Sequence, residues 1–126
     1  KYTDNTGNGS NSSGNVTTTT DYLFDLSEFE VFGTRSYANQ YEQNYQLQYD
    51  YYKAGNTKIA NNHTAVTTAV WWGLRSPNYN NNNNFVIVWT DGNNNNNNAN
   101  NSGGLRPGFC RYTRSNVVTE GKRLFR

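Results

Sequence analysis

Two runs of pure asparagine, Asn80–Asn84 and Asn93–Asn98, bracket the apolar segment Phe85-Val86-Ile87-Val88-Trp89 and the turn after it. Neither run can build a core, and neither carries an apolar–polar period that would mark it as helix or strand. Of the 24 asparagines in the chain, 14 lie between Asn78 and Asn101, so the excess is local. Apolar surface must come from elsewhere, and there is little of it. Leu, Ile, Val and Phe supply 22 of 126 residues, under the roughly 20% line below which disorder becomes the expectation. Yet the net charge is only +2 and Trp, Tyr and Phe number 19, whereas disordered chains are highly charged and poor in aromatics. The sequence describes one folded domain with a small, aromatic-rich core and a very polar surface.

Several classes drop out. No stretch approaches the ~18 apolar residues of a membrane span, so no membrane insertion is expected. No signal peptide opens the chain and its first residue is not Met, which suits a processed form or an excised domain. The single cysteine, Cys110, excludes an internal disulfide framework and a Cys-rich zinc site. Charge is uneven, with −3 over residues 1–104 and +5 over 105–126. The basic residues of that end are scattered and no nucleic-acid motif accompanies them, so a solvated tail is expected and no nucleic-acid partner.

Along the chain, residues 1–21 are mostly Gly, Ser, Thr and Asn and read as a flexible linker or tail. The domain proper is expected over 22–126. Ser27 is an N-cap with Glu30 three residues on, the spacing of a capping box, and Gly33 suits the position after the helix end. A second helix is expected over Glu42–Lys53, stopping near Gly55, with Tyr41, Tyr45, Tyr49 and Tyr52 as an aromatic stripe packed in the core. Residues 56–68 read as a loop. Val70–Arg75 and Phe85–Trp89 read as strands, and Asp91-Gly92 is a hairpin signal after the second. Leu105–Tyr112 reads as a further strand with Pro107 placing it at an edge or bulge, and Val117–Thr119 as a short extra piece. Helices followed by strands make an α+β domain.

Ordered motifs then carry a resemblance. They are Trp71-Trp72-Gly73-Leu74-Arg75-Ser76-Pro77, an Asn/Tyr-rich stretch, Asp91-Gly92, more Asn, and Gly104-Leu105-Arg106-Pro107-Gly108-Phe109. Upstream stand Leu26–Gly33 and Tyr51–Asn56. Over roughly residues 22–112 the chain resembles the C-type-lectin-like proteins diversified by retroelements in phages and gut bacteria. The resemblance implies a C-type lectin-like fold, two short helices with a small, mainly antiparallel sheet, and a variable region at about 71–112. It also implies a variable protein whose gene is rewritten at adenines by a reverse transcriptase. Asparagine codons are adenine-rich, so unmixed Asn runs suit a region close to its template.

In function, the resemblance implies a ligand-binding, receptor-recognition module on a phage virion or a bacterial cell surface, with a protein or cell-surface ligand. By position, the display residues are Asn78, Tyr79, Asn80, Asn81, Asn82, Asn83 and Asn84, then Asn93, Asn94, Asn95, Asn96, Asn97, Asn98, Asn100 and Asn101, with Trp89 added if its side chain faces out. Trp71, Leu74, Arg75, Pro77, Gly104, Arg106, Pro107 and Phe109 are the scaffold. An all-Asn surface is a poor hot spot, because binding energy concentrates in Trp, Tyr and Arg, so Tyr79 and Trp89 are the best anchors. The alternative is a structural or spacer domain whose Asn loops are merely solvated.

Catalytic chemistry has little to stand on. His63 is alone in a polar loop, and the acids show no paired-carboxylate signature. Asp91 is explained by its turn, and calcium wants clustered oxygens that the amide-rich stretch does not concentrate. Enzymes of the formylglycine-generating type share the broad fold and rely on more than one cysteine; Cys110 alone reads as a small hydrophobe. No catalytic residue, no metal and no cofactor are expected.

Overall fold

The computed structural model describes residues 19–44 and 46–109 in full, and the backbone of strands at 2–4, 16–18, 116–119 and 122–125. In chain order the strands are β1 Tyr2–Asp4, β2 Val16–Thr18, β3 Leu23–Phe24, β4 Ala60–Asn61, β5 Ala69–Val70, β6 Trp72–Pro77, β7 Asn84–Val88, β8 Asn94–Asn98, β9 Gly108–Phe109, β10 Asn116–Thr119 and β11 Lys122–Phe125. Two short helices, α1 Glu28–Phe32 and α2 Asp50–Lys53, and a 3-10 turn at Glu42–Asn44 lie between β3 and β4. The pairs β1–β2, β3–β9, β4–β5 and β10–β11 and the three-stranded sheet β6-β7-β8 are all antiparallel. The molecule is α+β.

Helix α1 spans only five residues, far too few to persist alone. Side chains satisfy the amides at its start. Ser27 Oγ accepts from Glu30 N at 3.1 Å and Glu30 Oε2 accepts from Ser27 N at 3.0 Å, the reciprocal capping box. Ser76 Oγ takes Glu28 N at 2.8 Å and Glu42 Oε1 takes Phe29 N at 3.2 Å. At the other end Gly33 adopts φ 69°, where a Cβ would collide with the Gln48 side chain. Its N–H returns to Phe29 O.

The second helix is broken, contrary to the pattern of its tyrosines. Tyr49 is extended at φ −65°, ψ 138°, and residues 46–49 separate the 3-10 turn from α2. The reason lies in α1, whose last carbonyls need donors. Tyr49 N donates to Glu30 O at 3.0 Å and Gln48 Nε2 to Val31 O at 3.1 Å, while Gln46 accepts from the Ser27 hydroxyl. A continuous helix would spend those groups on itself. The aromatic stripe dissolves accordingly: Tyr52 is buried, Tyr41 half-buried and Tyr49 exposed, and Tyr45 lies outside the described residues.

Three smaller expectations change. Residues 56–68 hold β4, which pairs with β5 through Ala60↔Val70 and Asn61↔Ala69. Strands β1 and β2 pair where a flexible lead was expected. Of the Leu105–Tyr112 strand, only Gly108–Phe109 is present among the described residues; Cys110 and the rest lie outside them.

The apolar core comprises Leu26, Val31, Ala38, Tyr52, Trp72, Leu74, Val86 and Val88, with Phe24, Phe32, Tyr37 and Ala60 packed against it. Nine buried apolar side chains face eight buried polar ones among the described residues. Such a polar interior holds only if its groups are paired. Glu28, fully buried, accepts from the backbone N–H groups of Ser36, Tyr37 and Ala38 and from Asn94 Nδ2. Arg75 Nη1 meets Glu30 Oε2 at 2.6 Å and donates to Asp25 O at 2.7 Å. Arg106 sits 5.4 Å over the Trp72 ring and 5.8 Å over Tyr52, a cation–π arrangement.

Glu42 is the costly member. Burial raises its pKa from 4.5 to about 7, against the lowering pull of Ser76, Phe29 N–H and Arg75. Below pH 4.5 the group is protonated in folded and unfolded chains alike. Between 4.5 and 7 only the unfolded chain ionises, so stability falls as pH rises, by about 3 kcal/mol at ~1.4 kcal/mol per unit. Urea midpoints are therefore expected to drop between pH 5 and pH 8, and Glu42→Gln to flatten that slope. An unchanged slope in Glu42→Gln assigns it to another group.

Candidate binding surface

The two asparagine runs occupy different structures. Asn80–Asn83 belong to the β6–β7 connection, built from side-chain-capped turns. Asn78 Oδ1 accepts from Asn80 N at 3.0 Å and Asn81 Oδ1 from Asn83 N at 3.0 Å, the local bonding that asparagine favours. Asn78 N donates to Asn84 O and Tyr79 N to Tyr37 O, so the connection is docked on the segment that Glu28 holds. Asn78 is buried, and Tyr79 is half-buried. Asn80, Asn81, Asn82 and Asn83 are exposed, whereas Asn84 opens β7.

The second run is a strand. The Thr90–Asn93 turn, closed by Trp89 N to Asn93 O at 2.8 Å, returns the chain as β8 along β7. Amides of Asn93 hold the Asp91 carboxyl below its usual pKa, the backbone N–H foremost. Directly opposed residues share a face. Val88↔Asn94, Val86↔Asn96 and Asn84↔Asn98 lie on the core side, and Ile87↔Asn95 and Phe85↔Asn97 on the other. Trp89 continues the alternation of Phe85 and Ile87 and is 39% exposed.

On that outer side a groove of about 430 Å³ is lined by Trp71, Gly73, Phe85, Ile87, Asn97, Asn101 and Leu105, among others. Trp71 also lines a cleft of about 530 Å³ with Asn61, Asn62, His63, Thr90 and Ser102. Its indole lies so close over Gly103 that a Cβ there would overlap the ring. A third depression, about 410 Å³, is lined by Asn82, Asn83, Asn98, Ala99 and Asn100. There the runs meet: Ala99 N donates to Asn83 O at 2.8 Å, and Asn84 faces Asn98.

A family model described as a domain of unknown function, DUF6273, matches residues 1–110. The chain belongs to the DUF6273 family. No curated protein and no solved structure matches it. In this DUF6273 domain the match includes the N-terminal residues that the sequence reads as a linker, and it ends beside β9.

Chemically the groove offers aromatic and aliphatic floor, amide rim, and two charged groups, Asp25 and Arg75, the latter already ion-paired with Glu30. Among the described residues no three or more His, Cys, Asp or Glu side chains gather to hold a metal ion, and no helix is long and apolar enough to cross a membrane. Sequence reasoning placed Trp71 in the scaffold and left Phe85 and Leu105 unassigned, yet all three form the groove. An uninterrupted apolar run such as Phe85–Trp89 does not say which of its faces is left uncovered.

Proposed function

We propose that this domain is a diversified ligand-binding module, presenting variable, Asn-rich positions on a fixed C-type-lectin-like scaffold. The observation that carries the reading is the meeting of the two runs, Asn83 bonded to Ala99 and Asn84 opposite Asn98, beside a groove floored by Trp71 and Phe85. Rigid elements with polar display suit recognition. Two short helices, an antiparallel sheet and the β3–β9 pairing, which joins the segment before α1 to the segment after β8, support the scaffold assignment. The setting proposed is a phage virion or a bacterial surface, and the ligand a protein or cell-surface molecule.

Sequencing the gene from several isolates tests this. Variation is expected to concentrate in the Asn positions of 78–101, with Trp71–Pro77 and Arg106–Phe109 constant. A nearby reverse-transcriptase gene and a second, adenine-richer copy of the segment encoding 71–112 are expected alongside. Invariant asparagines and no such copy overturn the reading and leave a spacer domain with solvated Asn loops.

A further inference from the structure

We infer that the outer edge of β8 is a self-pairing surface, on which a second copy of this chain lays its own β8 antiparallel to form a two-fold dimer. The pairing is independent of any ligand. Ladder bonds fix which backbone groups form that edge. Trp89 N donates to Asn93 O and Ala99 N to Asn83 O, so the odd-numbered residues of β8 bond to β7. The N–H and C=O groups of Asn94 and Asn96 therefore point away from β7. No strand pairs with that outer side among the described residues. The opposite edge of the sheet is closed: Gly73 N donates to Gly104 O and Gly104 N to Trp71 O, a parallel bridge beside β6. One open edge per chain gives an isologous contact that stops at two copies instead of growing into a filament.

The chemistry of the strand selects the occupant. Exposed edges are ordinarily guarded by lysine, proline, a bulge or an inward charge. Strand β8 has none of these: it is five asparagines in unbroken register with β7, and no charged residue or proline stands between Asp91 and Arg106. Two copies of the edge therefore meet without like charges facing each other. Every residue presents a carboxamide, at once donor and acceptor, so side chains across a β8–β8 junction match in any antiparallel register. A foreign peptide on a sheet edge takes its specificity from pockets for alternate side chains, and a row of identical amides supplies none. In the single chain Asn95 Oδ1 accepts from Asn96 N at 2.8 Å and Asn97 Oδ1 from Asn98 N at 2.9 Å. Those local bonds cover edge amides from within the strand. Pairing exchanges them for interstrand bonds and releases the carboxamides to the partner's.

Sedimentation equilibrium and amide hydrogen exchange on the full 126-residue chain test the pairing. A short strand junction is small against the ~1,200 Å² of a standard interface, so half-dimerisation is expected near about 100 µM. The Asn96 N–H is expected to exchange at least about tenfold more slowly well above that concentration than well below it. Asn95→Lys brings like charges together near the two-fold axis and is expected to raise the half-dimer concentration at least about tenfold. Asn82→Lys puts the same charge on the exposed β6–β7 connection, where a shift of less than about twofold is expected. Urea midpoints close to wild type show that both variants fold. A chain that stays monomeric to about 1 mM, or that assembles beyond dimers, overturns the inference. Dimers with unchanged Asn96 exchange overturn it too, as does a folded Asn95→Lys variant that dimerises like wild type. Where that variant unfolds, the exchange measurement on wild type decides alone.

Discussion

Glu28→Ala is expected to leave the domain unfolded at physiological temperature. The Glu28 carboxylate is fully buried, with Ser36 N at 2.9 Å, Tyr37 N at 3.1 Å, Ala38 N at 2.6 Å and Asn94 Nδ2 at 2.9 Å. Alanine removes all these acceptors at once, and each buried donor left unsatisfied costs about 1–3 kcal/mol. Four such donors total about 4–12 kcal/mol, comparable to the whole ~5–15 kcal/mol that a domain possesses. The damage also spreads, since the segment 36–38 anchors the β6–β7 connection through Tyr37 O and Tyr79 N. Glu28→Gln keeps one acceptor oxygen but turns an NH₂ toward other donors, so an intermediate loss of about 2 kcal/mol is expected. Urea titration followed by tryptophan fluorescence measures both. A loss below about 1 kcal/mol in Glu28→Ala would mean that water replaces the carboxylate.

Trp72→Ala is expected to cost about 3–5 kcal/mol, the range for removing a large aromatic from a core. The indole is fully buried and belongs to the core cluster on β6. Its Nε1 donates to Lys58 O at 2.9 Å, and Arg106 lies 5.4 Å over the ring while donating to the same carbonyl at 3.4 Å. One side chain thus ties β6 to the segment leading into β4 and to the segment before β9. Trp72→Phe keeps an aromatic ring and loses the donor, for which about 1–2 kcal/mol is expected. The ordering of urea midpoints checks it: wild type, then Phe, then Ala. Equal losses in the two variants would place the whole effect in the hydrogen bond to Lys58.

Local chemistry was legible where a residue type permits one backbone state or one partner. Ser27 and Glu30 at capping-box spacing, Gly33 in the left-handed region and the Asp91-Gly92 hairpin all formed as the sequence indicates. The second helix was not legible, because the tyrosine period competes with a demand made elsewhere. Gln48 and Tyr49 serve the open carbonyls of α1, and no window around residue 49 contains that requirement. For the same reason nothing in the sequence around Glu28 and Glu30 marks them as more than acids at a helix start. In the structure they are buried anchors of a polar interior, and their partners Ser36, Asn94 and Arg75 stand 8, 66 and 45 residues away.

By itself, the sequence determined an α+β domain poor in aliphatic residues, a capped first helix, and a hairpin set between two asparagine runs. It could not divide those runs. A homopolymer has no period, so nothing in six identical residues says strand or loop, or inside from outside. Register against β7 supplies what composition lacks. Val86 and Val88 belong to the core cluster, which puts Asn94 and Asn96 on the core side of the sheet and Asn95 and Asn97 on the side of Phe85 and Ile87, where Asn97 lines the groove. The tertiary structure alone gives chemically identical side chains different work, because burial and hydrogen-bond partners belong to position.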